Sequence, residues 1–387
     1  MAKLNKKPKS GRFYFRLFVF FYCAWSFLIT CLKKRKPPEQ PKSFLIAHHL
    51  LLGDTLMLTP MLANLRKRYP EAIIYFLVSE QYEGLYEKSP YGVTAIGYNP
   101  KNARSYFKLR KLIKSVDVAF IPGDNRFSSL AYSLNAKWIV AFCDLPKNWL
   151  KNLFVDQFVP LPTEPVSWED MNVRLVEFGC NKVDNTDCNT YYDKKDWPAP
   201  SFDAYQKPEN YIVLHVGATN PLRYWQPEKW FQLANQLEER GYQVVWTASP
   251  QERKLIKEID SNGKYKAFSD LNLNQLWNLI EHASLVVCPD TGISHMAKIT
   301  NTPVIVLFGQ GSDVLFGKGE FFKNHVFYKA IIKDIPCRDQ NLLFKRSIPW
   351  VKRCNRTLKD CQNNLCMNNI SVDMVFGGVL DFLAKTQ

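Results

Sequence analysis

Short apolar runs alternate with segments of helical periodicity along this chain, in one series before residue 197 and a second after residue 210. The apolar runs lie at residues 44–49, 72–78, 116–121 and 138–142, and then at 211–215, 242–247, 284–288 and 303–308. The clearest helical segments lie at residues 55–69, 227–240, 273–282 and 292–300. Strands that alternate with helices form parallel sheets with right-handed crossovers. The pattern therefore predicts an α/β protein with two doubly wound, Rossmann-like domains.

The two series are separated by residues 197–210, which are rich in Pro, Ser, Asp and Lys. We therefore assign residues 43–200 to an N-terminal domain and residues 208–387 to a C-terminal domain. A chain of 387 residues, 46% of them hydrophobic, can bury two cores, and ten cysteines are too few for a disulfide scaffold. Ligands of such sheets lie outside the carboxyl ends of the strands, so we expect the functional site in the cleft where the domains face each other.

Residues 1–42 differ from the rest in charge, because eleven Lys and Arg and one Glu give them +10 of the net charge of +15. The remaining 345 residues contribute only +5, so no nucleic-acid partner is indicated. Residues 17–32 carry no charge, and a helix of that length reaches about 24 Å. Basic clusters flank this run, and no small-residue cleavage site follows it. We expect a membrane anchor over residues 13–36, spanning or interfacial, rather than a signal peptide.

Gly53 and Asp54 follow the first apolar run. Glycine allows a tight turn, and Asp54 falls at or near the N-cap of the next helix. Its carboxylate either only caps that helix or acts as a general base at the carboxyl end of the first strand.

A second motif, Asp290-Thr291-Gly292 followed by His295, lies where an apolar run passes into a helix. The N–H groups at a helix N-terminus bind anions, so a nucleotide diphosphate can be held there without a metal ion. The alternative is structural: Asp290 and Thr291 cap the helix, and His295 is an ordinary helical histidine.

A third motif is the loop at residues 215–225. It offers the amides of Gly217 and Ala218, the Thr219 hydroxyl and the planar fork of Arg223, which suits phosphate, although a loop arginine is commonly only solvated. The chain has no G-x-G-x-x-G or Walker A motif, which argues against dinucleotide oxidoreduction and NTP hydrolysis.

Together these motifs resemble glycosyltransferase family 9, the ADP-heptose:lipopolysaccharide heptosyltransferases. The matching stretches are FLIAHHLLLGDTLMLTPMLANLRKRYPEA at residues 44–72, YIVLHVGATNPLRYWQPEKWFQLANQLEERGYQVVWTASPQER at 211–253, ASLVVCPDTGISHMAKITNTPVIVLFGQGS at 283–312, and CMNNISVDMV at 366–375. The resemblance covers roughly residues 43–385. It implies a GT-B fold, an inverting mechanism, and no required metal ion or cofactor.

The resemblance also implies roles for the motif residues. Asp54 would deprotonate the acceptor hydroxyl, and the donor would be bound by Thr219, Arg223, Asp290, Thr291, Gly292 and His295. The expected partners are a nucleotide-sugar donor (most of all ADP-heptose), a lipopolysaccharide core or related glycolipid acceptor, and the membrane surface. The expected location is the inner membrane, with the catalytic domains on the cytoplasmic side.

The chain departs from the family pattern at three places. His48-His49-Leu50-Leu51-Leu52 precedes Gly53, where the family has a basic residue and small residues. Arg223 stands where Lys is more common and follows Asn220-Pro221-Leu222, and FGQGS at residues 308–312 replaces FGP-T. Two other functions are compatible with the sequence, namely a membrane-tethered sugar- or glycolipid-binding relative without activity, and a GT-B nucleotide-sugar epimerase.

Two features of the C-terminal region lie outside these motifs. Cys337, Cys354, Cys361 and Cys366 do not have zinc-ribbon spacing, so free thiols are expected. Residues 323–359 contain ten basic and two acidic residues. This basic stretch is either a solvated face or a surface for a phosphorylated glycolipid at an anionic membrane.

Overall fold

The computed structural model describes residues 21, 35–144, 149–179, 190–361 and 363–386. The predicted anchor over residues 13–36 therefore lies outside the described residues, apart from positions 21, 35 and 36. Within the described ranges, no helix combines the length and apolarity that crossing a membrane requires.

Two parallel sheets form the core of the molecule, as the alternating pattern predicts. The first contains β1 (Ser43–Ile46), β2 (Ile73–Ser79), β3 (Val93–Tyr98), β4 (Val116–Ile121), β5 (Ala136–Phe142) and β6 (Gln157–Val159), in the order β3-β2-β1-β4-β5-β6. The second contains β7 (Tyr211–His215), β8 (Gln243–Thr247), β9 (Lys266–Phe268), β10 (Leu285–Pro289), β11 (Val304–Phe308) and β12 (Tyr328–Ile332), in the order β12-β11-β10-β7-β8-β9. Each order is that of a Rossmann sheet, whose ligands bind where the strand order reverses.

The helices between the strands are α1 (Leu52–Leu56), α2 (Thr59–Arg68), α3 (Ala103–Leu112), α4 (Ser128–Ser133), α5 (Trp149–Asn152), α6 (Trp168–Gly179), α7 (Pro227–Glu238), α8 (Arg253–Ile259), α9 (Leu273–Glu281), α10 (Gly292–Thr300), α11 (Leu365–Asn368) and α12 (Val372–Thr386). Short 3₁₀ turns lie at Glu80–Tyr86, Pro90–Gly92, Asn125–Phe127, Lys194–Asp196, Pro221–Arg223 and Pro250–Glu252. A small antiparallel hairpin, β13 (Leu342–Leu343) and β14 (Arg346–Ser347), follows β12.

The chain divides into two compact units. Unit 1 comprises Met1–Leu50, Met61–Leu161 and Asn172–Cys188; unit 2 comprises Leu51–Pro60, Pro162–Met171 and Asn189–Gln387. Each unit contains one sheet and has its own buried apolar core. The short segment that follows β1 therefore belongs to the unit of the second sheet.

The helix predicted over residues 55–69 is two helices, α1 and α2, which are separated at Met57 and Leu58. Pro60 causes the break, because proline has no N–H group to donate to the carbonyl of Leu56. The hydroxyl of Thr59 donates to that carbonyl instead, at 2.6 Å. The break turns α1 into a separate five-residue helix that carries Gly53 and Asp54.

Candidate active site

A close crossing of α1 and α10 brings Asp54 to the motif at residues 290–295, and all the predicted site residues belong to unit 2. A Cβ atom on Gly53 would stand 3.2 Å from the Cα atom of Gly292 and 3.1 Å from Cδ2 of His295. A side chain at either position would be crowded, and the two helices would have to move apart slightly to accept it. The crossing places Asp54, the next residue, beside the N-terminal end of α10.

Asp54 lies inside the first turn of α1 and is half-buried. The N-cap residue is Leu51, which makes no side-chain cap, so capping does not account for Asp54. Loss of hydration raises the pKa of the Asp54 carboxyl to about 6; Arg353 and Arg223 oppose the rise, and Asp290 adds to it. A carboxylate with this pKa is a better proton acceptor near neutral pH than an ordinary aspartate.

Asp290 and Thr291 connect β10 to α10, which begins at the predicted residue. Thr291 is the N-cap residue, and its hydroxyl accepts a hydrogen bond from the Ile293 amide at 3.4 Å. Asp290 is 4% exposed, and its Oδ2 atom has no hydrogen-bond partner among the described residues. The junction therefore offers a helix N-terminus and a buried, incompletely satisfied carboxylate to a ligand.

Arg223 reaches this same junction from the 3₁₀ turn that follows β7. Its Nη1 atom donates to the Asp290 carbonyl oxygen at 2.6 Å and lies 3.7 Å from Asp290 Oδ2. Its Nε atom is buried without a hydrogen-bond partner in the described part of the chain. The arginine that the sequence nominates for phosphate binding is thus held beside the Asp290 motif, and it is not merely a solvated loop residue.

Arg353, which the sequence patterns do not single out, supplies a second positive charge. It comes from the chain after β14, and its guanidinium lies 5.4 Å from the Phe316 ring centroid. Burial lowers its pKa, as does repulsion from Arg223, whereas attraction to Asp290 and Asp54 raises it. The site therefore contains two carboxylates and two guanidinium groups that act on one another.

Two departures from the family pattern contact each other. The Asn220 side chain donates to Gln310 Oε1 at 2.6 Å and accepts from the Leu222 amide at 3.1 Å. Gln310 in turn donates to the Arg356 carbonyl at 2.9 Å, and its own carbonyl accepts from the Cys354 amide at 2.9 Å. The pair therefore ties the turn that carries Arg223 to the segment that carries Arg353.

Glu252 is a further residue that sequence reasoning missed. Its Oε1 atom accepts from the Ala218 amide at 2.7 Å and from the Tyr224 hydroxyl at 3.2 Å, and its Oε2 atom accepts from the Ser249 hydroxyl at 2.5 Å. The Ala218 amide, which we expected to serve as a phosphate donor, is thus used inside the protein. The S-P-x-E pattern at residues 249–252 resembles a capping box, and this pattern could have identified Glu252 from the sequence.

His295 lies next to a buried ion pair of unit 2. Lys298 and Glu169 are fully buried and bonded to each other, and Lys298 also donates to the Gly317 carbonyl at 2.7 Å. His295 Nδ1 lies 3.5 Å from Glu169 Oε1. Burial lowers the pKa of His295 well below its ordinary value, and the charge of Lys298 lowers it further, so the imidazole is neutral.

The remaining sequence-based predictions have different outcomes. Thr219 is exposed in the loop after β7, and its role in donor binding stays a prediction. In the basic stretch, Arg338 and Arg346 are buried, and Arg338 donates to the Gly309 and Phe308 carbonyls at 2.9 and 3.1 Å. That stretch is therefore not simply a solvated face. The four C-terminal cysteines carry no disulfide: Cys337, Cys354, Cys361 and Cys366.

Comparisons with known proteins agree with this fold. The chain matches the family described as Glycosyltransferase family 9 (heptosyltransferase) over residues 174–345. It is 25% identical to an Escherichia coli lipopolysaccharide heptosyltransferase 3 over 317 residues, which cover 74% of this chain and 89% of the relative.

Two solved structures share the fold. A glycosyl transferase family 9 protein from Veillonella parvula superposes with a TM-score of 0.69 at 16% identity, covering 90% of this chain and all of the other. The E. coli ADP-heptose LPS heptosyltransferase II gives a TM-score of 0.64 at 18% identity, covering 89% and 99%. The fold and these relatives define the class of the protein, which is a glycosyltransferase. The chain is similar to glycosyltransferase family 9 over residues 174–345 and to a lipopolysaccharide heptosyltransferase over 74% of its length.

Proposed function

We propose that the protein transfers heptose from ADP-heptose to a lipopolysaccharide core or related glycolipid, with inversion at the anomeric carbon and without a metal ion. The observation that carries this proposal is the position of Asp54, a carboxylate with a raised pKa, beside Arg223, Arg353 and the N-terminus of α10. The donor and acceptor come from the names of the relatives, which include lipopolysaccharide heptosyltransferases and an ADP-heptose enzyme.

The reaction assigned to this site is a single displacement. Asp54 accepts the proton of the acceptor hydroxyl, whose oxygen attacks the anomeric carbon of the sugar as the bond to the donor diphosphate breaks. Negative charge grows on the departing diphosphate, and Arg223, Arg353 and the N–H groups at the start of α10 stabilise it. His295 is neutral and buried against the α1–α10 crossing, and it holds the donor-binding junction in shape.

The same proposal includes the GT-B arrangement of the two domains and the cellular location of the enzyme. The basic and apolar segment over residues 13–36 attaches the enzyme to the inner membrane, with the catalytic domains on the cytoplasmic side. The thiols of Cys288, Cys337, Cys354, Cys361 and Cys366 form no disulfide, which suits a reducing compartment.

A donor panel tests the proposal. The melting temperature of the protein is measured with ADP-heptose, ADP-glucose, UDP-glucose and GDP-mannose, because a ligand at 100 times its Kd stabilises the folded state by about 2.7 kcal/mol. Transfer to lipopolysaccharide that lacks its outer heptose is then followed by mass spectrometry. We expect stabilisation and transfer with ADP-heptose, and no transfer by Asp54→Asn.

The other outcomes separate the alternative functions. Tight donor binding without transfer to any acceptor favours a non-catalytic relative. Conversion of the donor into an isomeric nucleotide sugar favours an epimerase. Stabilisation and transfer with a different nucleotide sugar refute the heptose assignment but keep the enzyme class.

A further inference from the structure

Helix α3 of unit 1 has an exposed face of unusual composition. Its inward positions Ser105, Tyr106 and Leu109 are buried, as expected for an amphipathic helix on a sheet. Its outward positions include two large apolar side chains, Phe107 and Leu112, which are 60% and 49% exposed. A phenylalanine in the middle of a solvent-facing helix surface has no role in the core of unit 1.

The exposed apolar residues of α3 are surrounded by positive charge. Residues 101–114 contain six basic and no acidic residues. The exposed basic residues are Lys101, Arg104, Lys108, Lys111 and Lys114. Helical spacing places Arg104 and Lys111 three and four residues from Phe107, on the same face. Among the described residues, the acidic partner on this face is Glu83, which lies 3.6 Å from Lys108 Nζ.

The C-terminal end of α3 adjoins the place where the chain enters unit 1 from its N-terminal segment. Arg110 Nη1 donates to the Ser133 carbonyl at 2.6 Å. Three residues further along, the Ala136 carbonyl accepts from Arg35, whose Nε atom also donates to the Lys137 carbonyl at 3.0 Å. An ion pair of 3.3 Å with Asp156 fixes the Arg35 guanidinium as well. The C-terminal end of α3 and Arg35 are thus hydrogen-bonded to the same short stretch, residues 133–137.

The charge-free run of residues 17–32 ends three residues before Arg35. A fully extended chain of three residues spans about 10 Å, which limits how far a bilayer that receives this run can be from residues 133–137. A bilayer that receives this run would therefore pass near the C-terminal end of α3, which is bonded to the same stretch. Anionic headgroups attract Lys and Arg near the surface, and an aromatic ring between them enters the headgroup region.

We propose that the exposed face of α3, formed by Arg104, Phe107, Lys108, Lys111 and Leu112, docks on anionic phospholipid at the membrane that receives the N-terminal segment. The face acts as a second point of attachment, and it fixes the orientation of unit 1 on the bilayer. Two attachment points are the usual requirement for stable peripheral binding. The inference rests on the membrane attachment proposed above but not on the identity of the donor or acceptor.

Lysine footprinting of the full-length chain tests this docking. The protein is treated with an amine-acetylating reagent free in solution, on phosphatidylcholine vesicles, and on vesicles that contain phosphatidylglycerol, and each modified lysine is quantified by mass spectrometry. On the anionic vesicles we expect Lys108 and Lys111 to react at least about threefold more slowly than in solution, because anionic headgroups bind them. Lys254 and Lys257 on the exposed side of α8 in unit 2 are the internal controls. We expect their acetylation rates to be the same in solution and on vesicles.

A variant separates docking from attachment by the N-terminal segment. The α3 variant combines three substitutions, Arg104→Glu, Phe107→Ser and Lys111→Glu, which remove the exposed face and leave the buried side of α3 unchanged. The matched control combines Lys254→Glu and Lys257→Glu. We expect the α3 variant to stay bound to vesicles through its N-terminal segment while Lys108 loses its protection. The control variant should behave as the wild type.

Three results would overturn the inference. If Lys108 and Lys111 of a vesicle-bound chain are acetylated as fast as in solution, α3 does not touch the bilayer, although the N-terminal segment still attaches the protein to it. Equal protection on neutral and anionic vesicles refutes anionic lipid as the partner. If the chain binds no vesicles, both the docking and the proposed membrane attachment are refuted. The glycosyltransferase assignment is unaffected, because the donor panel tests it separately.

Discussion

Gly53 and Gly292 lie against each other where α1 and α10 cross, each in the space that a side chain on the other would occupy. A Cβ atom on Gly292 would stand 3.1 Å from the Gly53 nitrogen, and one on Gly53 would stand 3.2 Å from the Gly292 Cα atom. Neither glycine has a positive φ, so close packing explains both residues, and the tight turn inferred for Gly53 from the sequence does not. The contact sets the distance between Asp54 and the start of α10.

Gly53→Ala should therefore lower both stability and turnover. The added methyl group forces the two helices apart, and such overpacking costs about 1–3 kcal/mol. Urea unfolding measures the stability, and heptosyl transfer measures the displacement of Asp54. Gly377→Ala in α12 is the matched control, because no atom lies within 4 Å of its Cβ position, and alanine in a helix should stabilise it by about 0.5–1 kcal/mol. A Gly53→Ala variant as stable and active as the wild type would show that the crossing is loose.

The fold was predictable because buried parallel strands are continuous apolar runs. β4, β7 and α10 occur at the residues that the sequence indicates, and the six other predicted strands differ by a few positions at their ends. β3, β6, β9 and β12 are not among the strands predicted from the sequence. The error over residues 55–69 has a local cause that was visible in the sequence, namely Pro60 in the second turn of a helical pattern. Periodicity alone did not show that the short α1 belongs to unit 2.

The site was predictable where its residues are adjacent in the chain. Asp290, Thr291 and Gly292 are consecutive, and a strand-to-helix junction suffices to place them. Arg353 and Glu169 reach the site only through tertiary contacts, and local patterns do not encode such contacts. Lys298 carried a weak signal, since a lysine on the apolar face of a helix predicts a buried partner without naming it.

Arg223→Ala and Arg353→Ala should each weaken donor binding. A hydrogen bond between a guanidinium and a phosphate contributes about 1.5–3 kcal/mol, which is roughly ten- to a hundredfold in affinity. Calorimetric titration with ADP measures the loss. Lys352→Ala changes an exposed neighbour of Arg353 and should leave the affinity unchanged. If only Arg223→Ala weakens binding, Arg353 acts on Asp54 alone and not on the donor.

The buried pair of Lys298 and Glu169 should be strongly coupled. Lys298→Met leaves an uncompensated carboxylate at a fully buried position, which typically costs about 3–5 kcal/mol. The double variant with Glu169→Gln should recover much of that loss in urea unfolding. Lys329→Met breaks a partly exposed pair with Asp381 and should cost less than about 1 kcal/mol. Additive losses in the double variant would argue against direct coupling.

Truncation of the N-terminal segment should leave the fold intact if the cut is placed before Arg35. Arg35 bonds to β5 and Asp156, and the Lys42 amide donates to Asp117 at 2.9 Å, so residues 35–42 support unit 1. We expect a chain that starts at residue 35 to unfold cooperatively and near the wild-type temperature. A chain that starts at residue 43 should melt lower. Equal melting temperatures would mean that these contacts add nothing to stability.

Asp54→Asn should separate catalysis from stability. The variant should lose about 10²–10⁴-fold in turnover, because Asp54 is the proposed general base and an amide cannot accept the proton. Wild-type kcat/KM should rise with pH through an apparent pKa of about 6, which is that of the half-buried carboxyl.

Stability should change in the opposite direction to activity. The folded state holds the Asp54 proton more tightly than the unfolded chain does, so ionisation destabilises the fold as pH rises from about 4 to above 6. Asn removes that cost, so the variant should melt at or above the wild-type temperature at pH 7.5 and show no such gain at pH 4. The proposed function assigns donor binding to Arg223 and the start of α10, so donor affinity should persist. Near wild-type turnover of Asp54→Asn, measured together with melting temperature and ADP affinity, would remove Asp54 from catalysis.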